Sequence, residues 1–188
     1  MLREQLDNLT RALQIYLQYI LPKEPRELEP IGQIAEIAPK YIISFNYTDT
    51  YKVYGIEKES VLHIHGSLED NNMVLGFQDD NPDDLDFVYF KKYFQRIQKL
   101  TGYIEQEKMY ENRMGVISCP IIHFYGHSMD KTDGEIIKKL KSMANKFVIY
   151  KYNQDDYEQK VVNLIEVFGK EEATKLIQER FIEFVPCE

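Results

Sequence analysis

Apolar residues recur along the chain in two alternating patterns, a helical one and a short continuous one. Near the N-terminus they are spaced three and four residues apart, which predicts one apolar helix face over residues 2–20. These residues are Leu2, Leu6, Leu9, Leu13, Leu17 and Ile20. The proline-containing stretch 21–30 is predicted to end the helix and form a linker, followed by a short helical turn at 31–38. Because an isolated helix of this length is marginal in water, its leucine face is expected to pack on this chain or on a second copy.

Short apolar runs rich in β-branched and aromatic residues are typical of buried parallel strands. They span residues 41–46, 61–65, 120–125, 147–150 and 181–185, with a shorter candidate at 73–75. Helical stripes separate them: Phe87, Phe90, Phe94 and Ile97; Ile136, Ile137, Leu140 and Met143; Tyr157, Val161, Leu164, Ile165 and Phe168. The alternation predicts a Rossmann-like α/β fold, a mostly parallel sheet flanked by helices. Residues 1–30 would be an N-terminal helix and linker, and residues 31–188 one domain.

Composition and charge narrow the class of protein. The chain has 188 residues, 44% of them hydrophobic, enough for one core. Two cysteines and no visible export signal or bilayer-length apolar run predict a cytoplasmic protein outside the membrane. The net charge of −8 disfavours nucleic acid as a partner. Lys92, Arg96 and Lys99 form one basic helix edge, which either binds a phosphate or is a solvated face. The acidic segment 79–84 is expected to be either a solvated connection or a metal-binding loop.

Three polar clusters directly follow three of the predicted strands. They are Asn46–Thr50, His65–Ser67 and Gly126–Asp133. Because the carboxyl ends of parallel strands lie along one edge of such a sheet, and ligands bind there, the clusters are expected to form one convergent crevice. The candidate ligand-binding residues are Tyr47, Thr48, Gly66, Gly126, His127, Ser128 and Asp133, beside Asn46 and His65.

Each cluster also has a purely structural interpretation. Asn46 is a good cap for a helix beginning near Thr48, and His65 can be satisfied by a backbone carbonyl. Thr132 and Glu135 fit a capping box, which makes Asp133 an acid in the first helical turn, where the helix dipole favours it.

The histidines raise a metal hypothesis. His63 and His65 lie two apart on a strand, and His127 and Asp133 follow a later strand, so that a metal-dependent hydrolase or nuclease is an alternative. Packed, hydrogen-bonded imidazoles at His63 and His123 are the other interpretation, and we predict no structural zinc. The sequence holds no glycine-rich phosphate cradle and no complete G-x-S-x-G serine elbow.

Four blocks together resemble the AbiH family of bacterial abortive-infection proteins. They are Phe45–Thr50, Ile64–Ser67 with Leu75–Gly76 nine residues later, Phe90–Ile97, and Phe124–Asp133. Their order and spacing agree from about Ile42 to Tyr150. The resemblance implies protection against phage, in which the infected cell dies or stalls before the phage matures.

The same clusters distantly resemble the sirtuin-like domains of bacterial defence proteins. That resemblance implies a nucleotide-type crevice, with NAD as ligand and cleavage of its nicotinamide bond. Asn46 would then orient water or ribose, His65 would act as general base, and Gly126, Ser128 and Asp133 would line the nucleotide pocket.

AbiH-like proteins usually begin with a strand and a Gly-Asn-Gly-Phe-Asp block whose amides bind phosphate. This sequence starts at a helix and resembles the C-terminal portion of the family, so a further segment or a partner chain is expected to complete the site. Without it, the chain is expected to hydrolyse NAD slowly or not at all. A non-catalytic sensor or interaction domain is the other function expected of such a chain.

Overall fold

The computed structural model describes residues 2–20, 29–77, 85–104, 111–113 and 116–188. The chain divides into two compact units, residues 1–104 and residues 105–188. Both contain parallel strands and helices, which confirms the predicted α/β class. The predicted boundary at residue 30 stays a prediction, and the acidic segment 79–84 lies outside the described residues.

The described residues of the first unit form three helices and two strands. The helices are α1 (Leu2–Ile15), continued by a π-helical turn (Tyr16–Ile20), α2 (Gly32–Ile37) and α3 (Lys92–Lys99). The strands are β1 (Ile42–Ser44) and β2 (Val61–His63), and short 3-10 turns span Thr50–Tyr54, Lys58–Ser60 and Val88–Phe90.

Strands β1 and β2 pair in parallel along their whole length. The register places Ile42 beside Val61 and Ser44 beside His63. The pairing continues one step further, because the backbone N–H of Ile64 donates to the carbonyl of Ser44 at 2.9 Å. The predicted strands 41–46 and 61–65 are therefore confirmed in position, and both end at the same edge. The third apolar run, residues 73–75, is buried in part but forms no strand.

Helix α1 packs on its own unit through only part of its leucine face. Leu6 is buried, and the Gln14 side chain donates to the Asn71 side chain at 2.7 Å. Leu2 and Leu9 stay about half exposed. The single apolar face that the spacing predicted is thus divided between a buried side and an exposed side.

The prediction that the apolar residues of 87–97 share one helix face is wrong, because the α-helix begins later than their spacing implies. Phe87 has a left-handed backbone (φ 54°), and the next three residues form a 3-10 turn, so the α-helix begins only at Lys92. This shift turns Ile97 outward, 69% exposed, and buries Arg96, 8% exposed. The basic edge predicted on this helix is consequently not a solvated face.

In the second unit, the part of the chain that the structure describes forms three helices and five strands. The helices are α4 (Gly134–Met143), α5 (Gln154–Phe168) and α6 (Lys170–Gln178). The strands β3 (Glu111–Arg113) and β4 (Val116–Ser118) form an antiparallel pair, while β5 (Ile121–Phe124), β6 (Lys146–Lys151) and β7 (Ile182–Pro186) form a parallel sheet in the order β5-β6-β7. The apolar patterns did not predict the antiparallel pair or α6.

The core of the second unit forms around its central strand. Residues 147–150 of β6 are all buried, as expected of a parallel strand covered by helices. Ile137 and Leu140 of α4 and Leu164 of α5 are also fully buried. Each buried side chain of this size is worth roughly 1.5–3 kcal/mol relative to exposure, so this core holds the strand ends in place.

Asp156 forms an ion pair within helix α5 and a hydrogen bond to the backbone just after β6. The ammonium of Lys160 is 2% exposed and donates to the carboxylate of Asp156, which also accepts the backbone N–H of Tyr152 at 2.9 Å. Burial raises the pKa of Asp156, but the hydrogen bonds from Lys160 and Tyr152 outweigh burial and bring this pKa below its usual range. The carboxylate therefore stabilises the fold while it is ionised.

We expect Asp156→Asn to lower the free energy of unfolding by about 2–3 kcal/mol at neutral pH, since it leaves the buried Lys160 charge uncompensated. Because folding lowers the pKa of Asp156, its contribution is present above the unfolded-state pKa and lost as pH falls through the folded-state value. Urea unfolding at several pH values should show the difference from wild type shrinking in acid. Asp155→Asn, at an exposed neighbour, is the control. A difference that is the same at all pH values would contradict the assignment.

Candidate functional site

The parallel register brings Asn46 and His65 to one edge of the β1–β2 pair. Ser44 and His63 are partners in the register. Asn46 lies two residues beyond Ser44, and His65 lies two residues beyond His63. The two candidate catalytic residues thus occupy equivalent positions at the carboxyl ends of adjacent parallel strands. That is where sheets of this class place ligands.

The side chain of Asn46 is exposed, while its backbone is held on both sides. Its N–H donates to the Ser44 hydroxyl at 3.2 Å, and that hydroxyl donates to the Asn46 carbonyl at 3.3 Å. The 3-10 turn that follows begins at Thr50, and Asp49 occupies its N-cap position, so Asn46 does not cap it. The interpretation of Asn46 as a helix cap is therefore wrong, and its amide is presented to solvent.

His63 and Asp49 support this strand end, and no sequence pattern predicts that they pair. The Nδ1 atom of His63 lies 2.9 Å from the Asn46 carbonyl, which can only accept, so Nδ1 carries the proton. Its Nε2 atom lies 3.8 Å from a carboxylate oxygen of Asp49, and the Tyr51 ring packs edge-on against the imidazole. His63 therefore fixes the Asn46 backbone, which agrees with the predicted packed imidazole.

His65 is buried beside Asn46, with 6% of its surface exposed. Its ring packs edge-on against Phe45, with ring centroids 5.7 Å apart, and its carbonyl accepts the N–H of Val74 at 2.7 Å. Val74 also accepts, through its carbonyl, the hydroxyl of Tyr47 at 2.8 Å. Tyr47 and His65 are thus both anchored to the segment around Val74, which makes this edge rigid.

Gly66 occupies a position that only glycine fits. Its φ is +75°, and a Cβ there would lie 2.3 Å from the backbone oxygen of Asn72. The Asn72 side chain accepts the N–H of Ser67 at 2.9 Å, and Ser67 in turn hydrogen-bonds Asp70. The glycine of the His-Gly pair is therefore required by the turn itself. Thr48, the remaining candidate in this unit, is half-buried in the connection between Tyr47 and the 3-10 turn.

Polar side chains of helix α3 hydrogen-bond to the backbone of Met73 and Leu75, which follow this turn. Gln95 both accepts from the N–H of Leu75 at 3.1 Å and donates to its carbonyl at 2.8 Å. Lys99 donates to the carbonyl of Met73, and burial lowers the pKa of its ammonium. Sequence reasoning had assigned this basic edge to solvent or phosphate, whereas Lys99 binds a backbone carbonyl.

In the second unit, His127 and Asp133 lie together after β5. The Nδ1 atom of His127 accepts the N–H of Met129 at 2.9 Å, so the neutral ring carries its proton on Nε2. That Nε2 atom lies 3.7 Å from a carboxylate oxygen of Asp133, and both side chains are largely buried. Gly126 and Ser128 are exposed on the same loop, and the Ser128 carbonyl accepts the Asn163 side chain at 2.8 Å.

The predicted capping box at the start of α4 is wrong. Asp130, not Thr132, supplies the cap, because its carboxylate accepts the N–H of Thr132 at 2.8 Å at the start of a 3-10 turn. The α-helix begins at Gly134, and the preceding Asp133 makes no side-chain cap bond to it. The extra 3-10 turn before α4 was not visible in the sequence pattern. It leaves the Asp133 carboxylate directed to His127.

The structure thus brings the candidates together in two groups. Asn46, Tyr47, His65 and Gly66 share one edge of the first unit, and Gly126, His127, Ser128 and Asp133 share one loop of the second. The convergence of both groups on a single crevice stays a prediction. Among the described residues, no three histidine, cysteine, aspartate or glutamate side chains lie close enough to hold a metal ion.

Parallel strands flanked by helices define an α/β protein, and polar clusters follow the ends of its strands. The family model described as bacteriophage abortive infection AbiH matches residues 1–181. The chain belongs to the AbiH family. Searches of curated proteins and of solved structures found no match. No helix in the described part of the chain has the length and apolarity to cross a bilayer.

We expect Gly66→Ala to destabilise the first unit by more than about 2 kcal/mol, because it combines a left-handed backbone with a collision against Asn72. Gly32→Ala is the matched control, since nothing lies within 4 Å of its added Cβ and the residue begins a helix. Chemical denaturation followed by circular dichroism compares the two variants. Equal stability of both would show that the turn does not require glycine.

Proposed function

We propose that this AbiH protein acts in abortive infection on a nucleotide, with NAD as the substrate, at the edge where β1 and β2 end. The observation that carries the proposal is the parallel register, because Asn46 and His65 each follow by two residues the paired ends Ser44 and His63. An exposed amide and an imidazole at adjacent parallel strand ends suit a polar ligand with a transferable group.

The proposed reaction is hydrolysis of the bond between nicotinamide and ribose. Water adds to the ribose carbon, the bond to the nicotinamide nitrogen breaks, and the products are ADP-ribose, nicotinamide and one proton. The Asn46 amide both donates and accepts hydrogen bonds, so it orients the ribose hydroxyl or the water. His65 takes the proton from the water as general base and returns it to solvent.

In the second unit, the loop after β5 presents groups of its own that suit contact with a nucleotide. Gly126 has a left-handed backbone (φ +66°) and an exposed surface, which allows a ligand to approach the main chain closely. Ser128 adds an exposed hydroxyl on the same loop. The pair of His127 and Asp133 keeps this loop in one conformation. These roles rest on the strand-end position of the loop after β5 and on the resemblance to sirtuin-like domains.

A second candidate function is a nucleotide sensor that binds without turnover. The burial of His65 favours it, because a base that is 6% exposed meets substrate over a small surface only. The His65 ring also packs edge-on against Phe45, which suits a structural imidazole. Binding and turnover therefore have to be measured separately.

The experiment measures NAD binding by calorimetry and nicotinamide release by chromatography, for the wild-type chain and three variants. We expect Asn46→Ala to weaken NAD binding or turnover at least about tenfold, and His65→Gln to lower turnover about 10²-fold while binding is kept. Gln98→Ala removes an exposed amide on α3 and is expected to change neither. Thermal unfolding of each variant verifies that the fold is intact.

The outcomes separate the two candidates. Binding with no nicotinamide release by wild type supports the sensor as the function of this chain, and agrees with the slow or absent hydrolysis expected of it without a further segment or partner chain. Turnover that is equal in wild type and His65→Gln removes His65 from the mechanism. Absence of both binding and release, in a chain that unfolds cooperatively, contradicts the nucleotide site itself.

A further inference from the structure

The chain leaves His65 and returns to it through the loop of residues 66–73, which we call the His65 loop. At the base of this loop, the N–H of Val74 donates to the carbonyl of His65 at 2.7 Å. One step further along, the N–H of Ser67 donates to the Asn72 side chain at 2.9 Å. These two hydrogen bonds join the outgoing limb of the loop to the returning limb. A displacement of the returning limb is therefore passed on to the backbone of His65.

The two limbs of the His65 loop also touch directly. A Cβ atom at Gly66 would lie 2.3 Å from the backbone oxygen of Asn72. On the returning limb, Asn71 has a left-handed backbone (φ 52°), a conformation that asparagine adopts more readily than most residues. Because packed groups move together and do not deform continuously, the loop is expected to shift as a unit.

Helix α1 holds the returning limb through a buried amide. Gln14 is 8% exposed, and its Nε2 atom donates to the Oδ1 atom of Asn71 at 2.7 Å. The Oε1 atom of the same amide accepts from Arg11 at 3.4 Å. A buried amide that loses its partner is costly, so Gln14 and Asn71 are expected to stay together. The far end of the His65 loop is thus tied to α1.

The other end of α1 has contacts of its own with the first unit. Leu6 is buried, and the guanidinium of Arg3 lies over the ring of Tyr89, 4.9 Å from its centroid. These contacts do not involve Gln14. Removal of the Gln14 amide is therefore expected to release the His65 loop while α1 stays in place.

We propose that Gln14 is a positioning residue for the candidate site: through Asn71, helix α1 holds the His65 loop, and with it the His65 imidazole. Gln14 itself touches no ligand in this arrangement. The coupling between α1 and His65 stands on these contacts alone, whereas its effect on a ligand rests on the proposed function. An event that lifts α1 from the first unit would, by the same path, disturb the site.

The first experiment measures amide hydrogen exchange by nuclear magnetic resonance. In Gln14→Ala, we expect the amides of Ser67 and Val74 to exchange at least about threefold faster, because a hydrogen bond at the end of the loop is lost. The amide of Ile64 belongs to the β1–β2 pair and should not change. Gln5→Ala removes an exposed amide from the same helix and is the matched control. Unchanged exchange at Ser67 and Val74, or an equal rise at Ile64, overturns the proposal.

Variants of Asn71 test whether the two side chains act as a pair. Asn71→Gly removes the acceptor and favours the left-handed backbone, so Gln14→Ala should have no further effect on exchange in its presence. Asn71→Asp keeps an acceptor for Gln14 and should retain the wild-type exchange rates. Effects of Gln14→Ala and Asn71→Gly that simply add would show that Gln14 does not act through Asn71, and would overturn the proposal.

The last experiment asks whether the coupling reaches the imidazole. The ring signals of His65, identified by their absence in His65→Gln, are expected to shift in Gln14→Ala but not in Asn71→Asp or Gln5→Ala. Calorimetry should show NAD binding at least about threefold weaker in Gln14→Ala. Failure of wild type to bind NAD contradicts the proposed function and leaves the ring signals to decide the coupling. Unmoved ring signals, or unchanged affinity in Gln14→Ala when wild type does bind, overturn the positioning role.

Discussion

The parallel pairing of β1 with β2 is the constraint on which the candidate site depends. Its last bond, from the N–H of Ile64 to the carbonyl of Ser44, fixes where both strands end. Because side chains alternate along a strand, a slip of one residue would turn every side chain to the opposite face. Asn46 and His65 would then no longer occupy equivalent positions. The chemistry proposed for this edge thus rests on a short stretch of backbone pairing.

So short a sheet needs support from outside itself, and most of that support is polar. Two strands of three residues are marginal on their own in water. The Thr101 hydroxyl donates to the carbonyl of His63 at 2.9 Å, and Gln95 pairs with both backbone groups of Leu75. These bonds satisfy backbone groups that strand neighbours would satisfy in a wider sheet. The burial of the Gln95 amide on α3 is explained by its bonds to the Leu75 backbone.

The sequence was informative wherever one residue pattern determined one structure. Continuous apolar runs located the five parallel strands, since a buried parallel strand needs apolar residues on both faces, but not the antiparallel pair. Apolar spacing failed where the backbone departed from regular helix, as at Phe87. Its left-handed conformation precedes a 3-10 turn, so that α3 begins later and Ile97 is exposed. A single such residue leaves no mark on apolar spacing. The site followed the same rule, because strand ends predicted Asn46 and His65 but not the side chains that hold them.

The support of Asn46 by His63 shows why tertiary contacts escape such reasoning. His63 alternates with His65 in the sequence, and both appear equally suited to bind a ligand. In the fold, the His63 proton is directed at the Asn46 carbonyl and its other nitrogen at Asp49, fourteen residues earlier in the chain. Its ring is thereby committed to holding a loop, whereas the Asn46 amide remains exposed. Which of the two histidines holds this loop is set by strand register and not by residue type, so it becomes visible only once the two strands are paired.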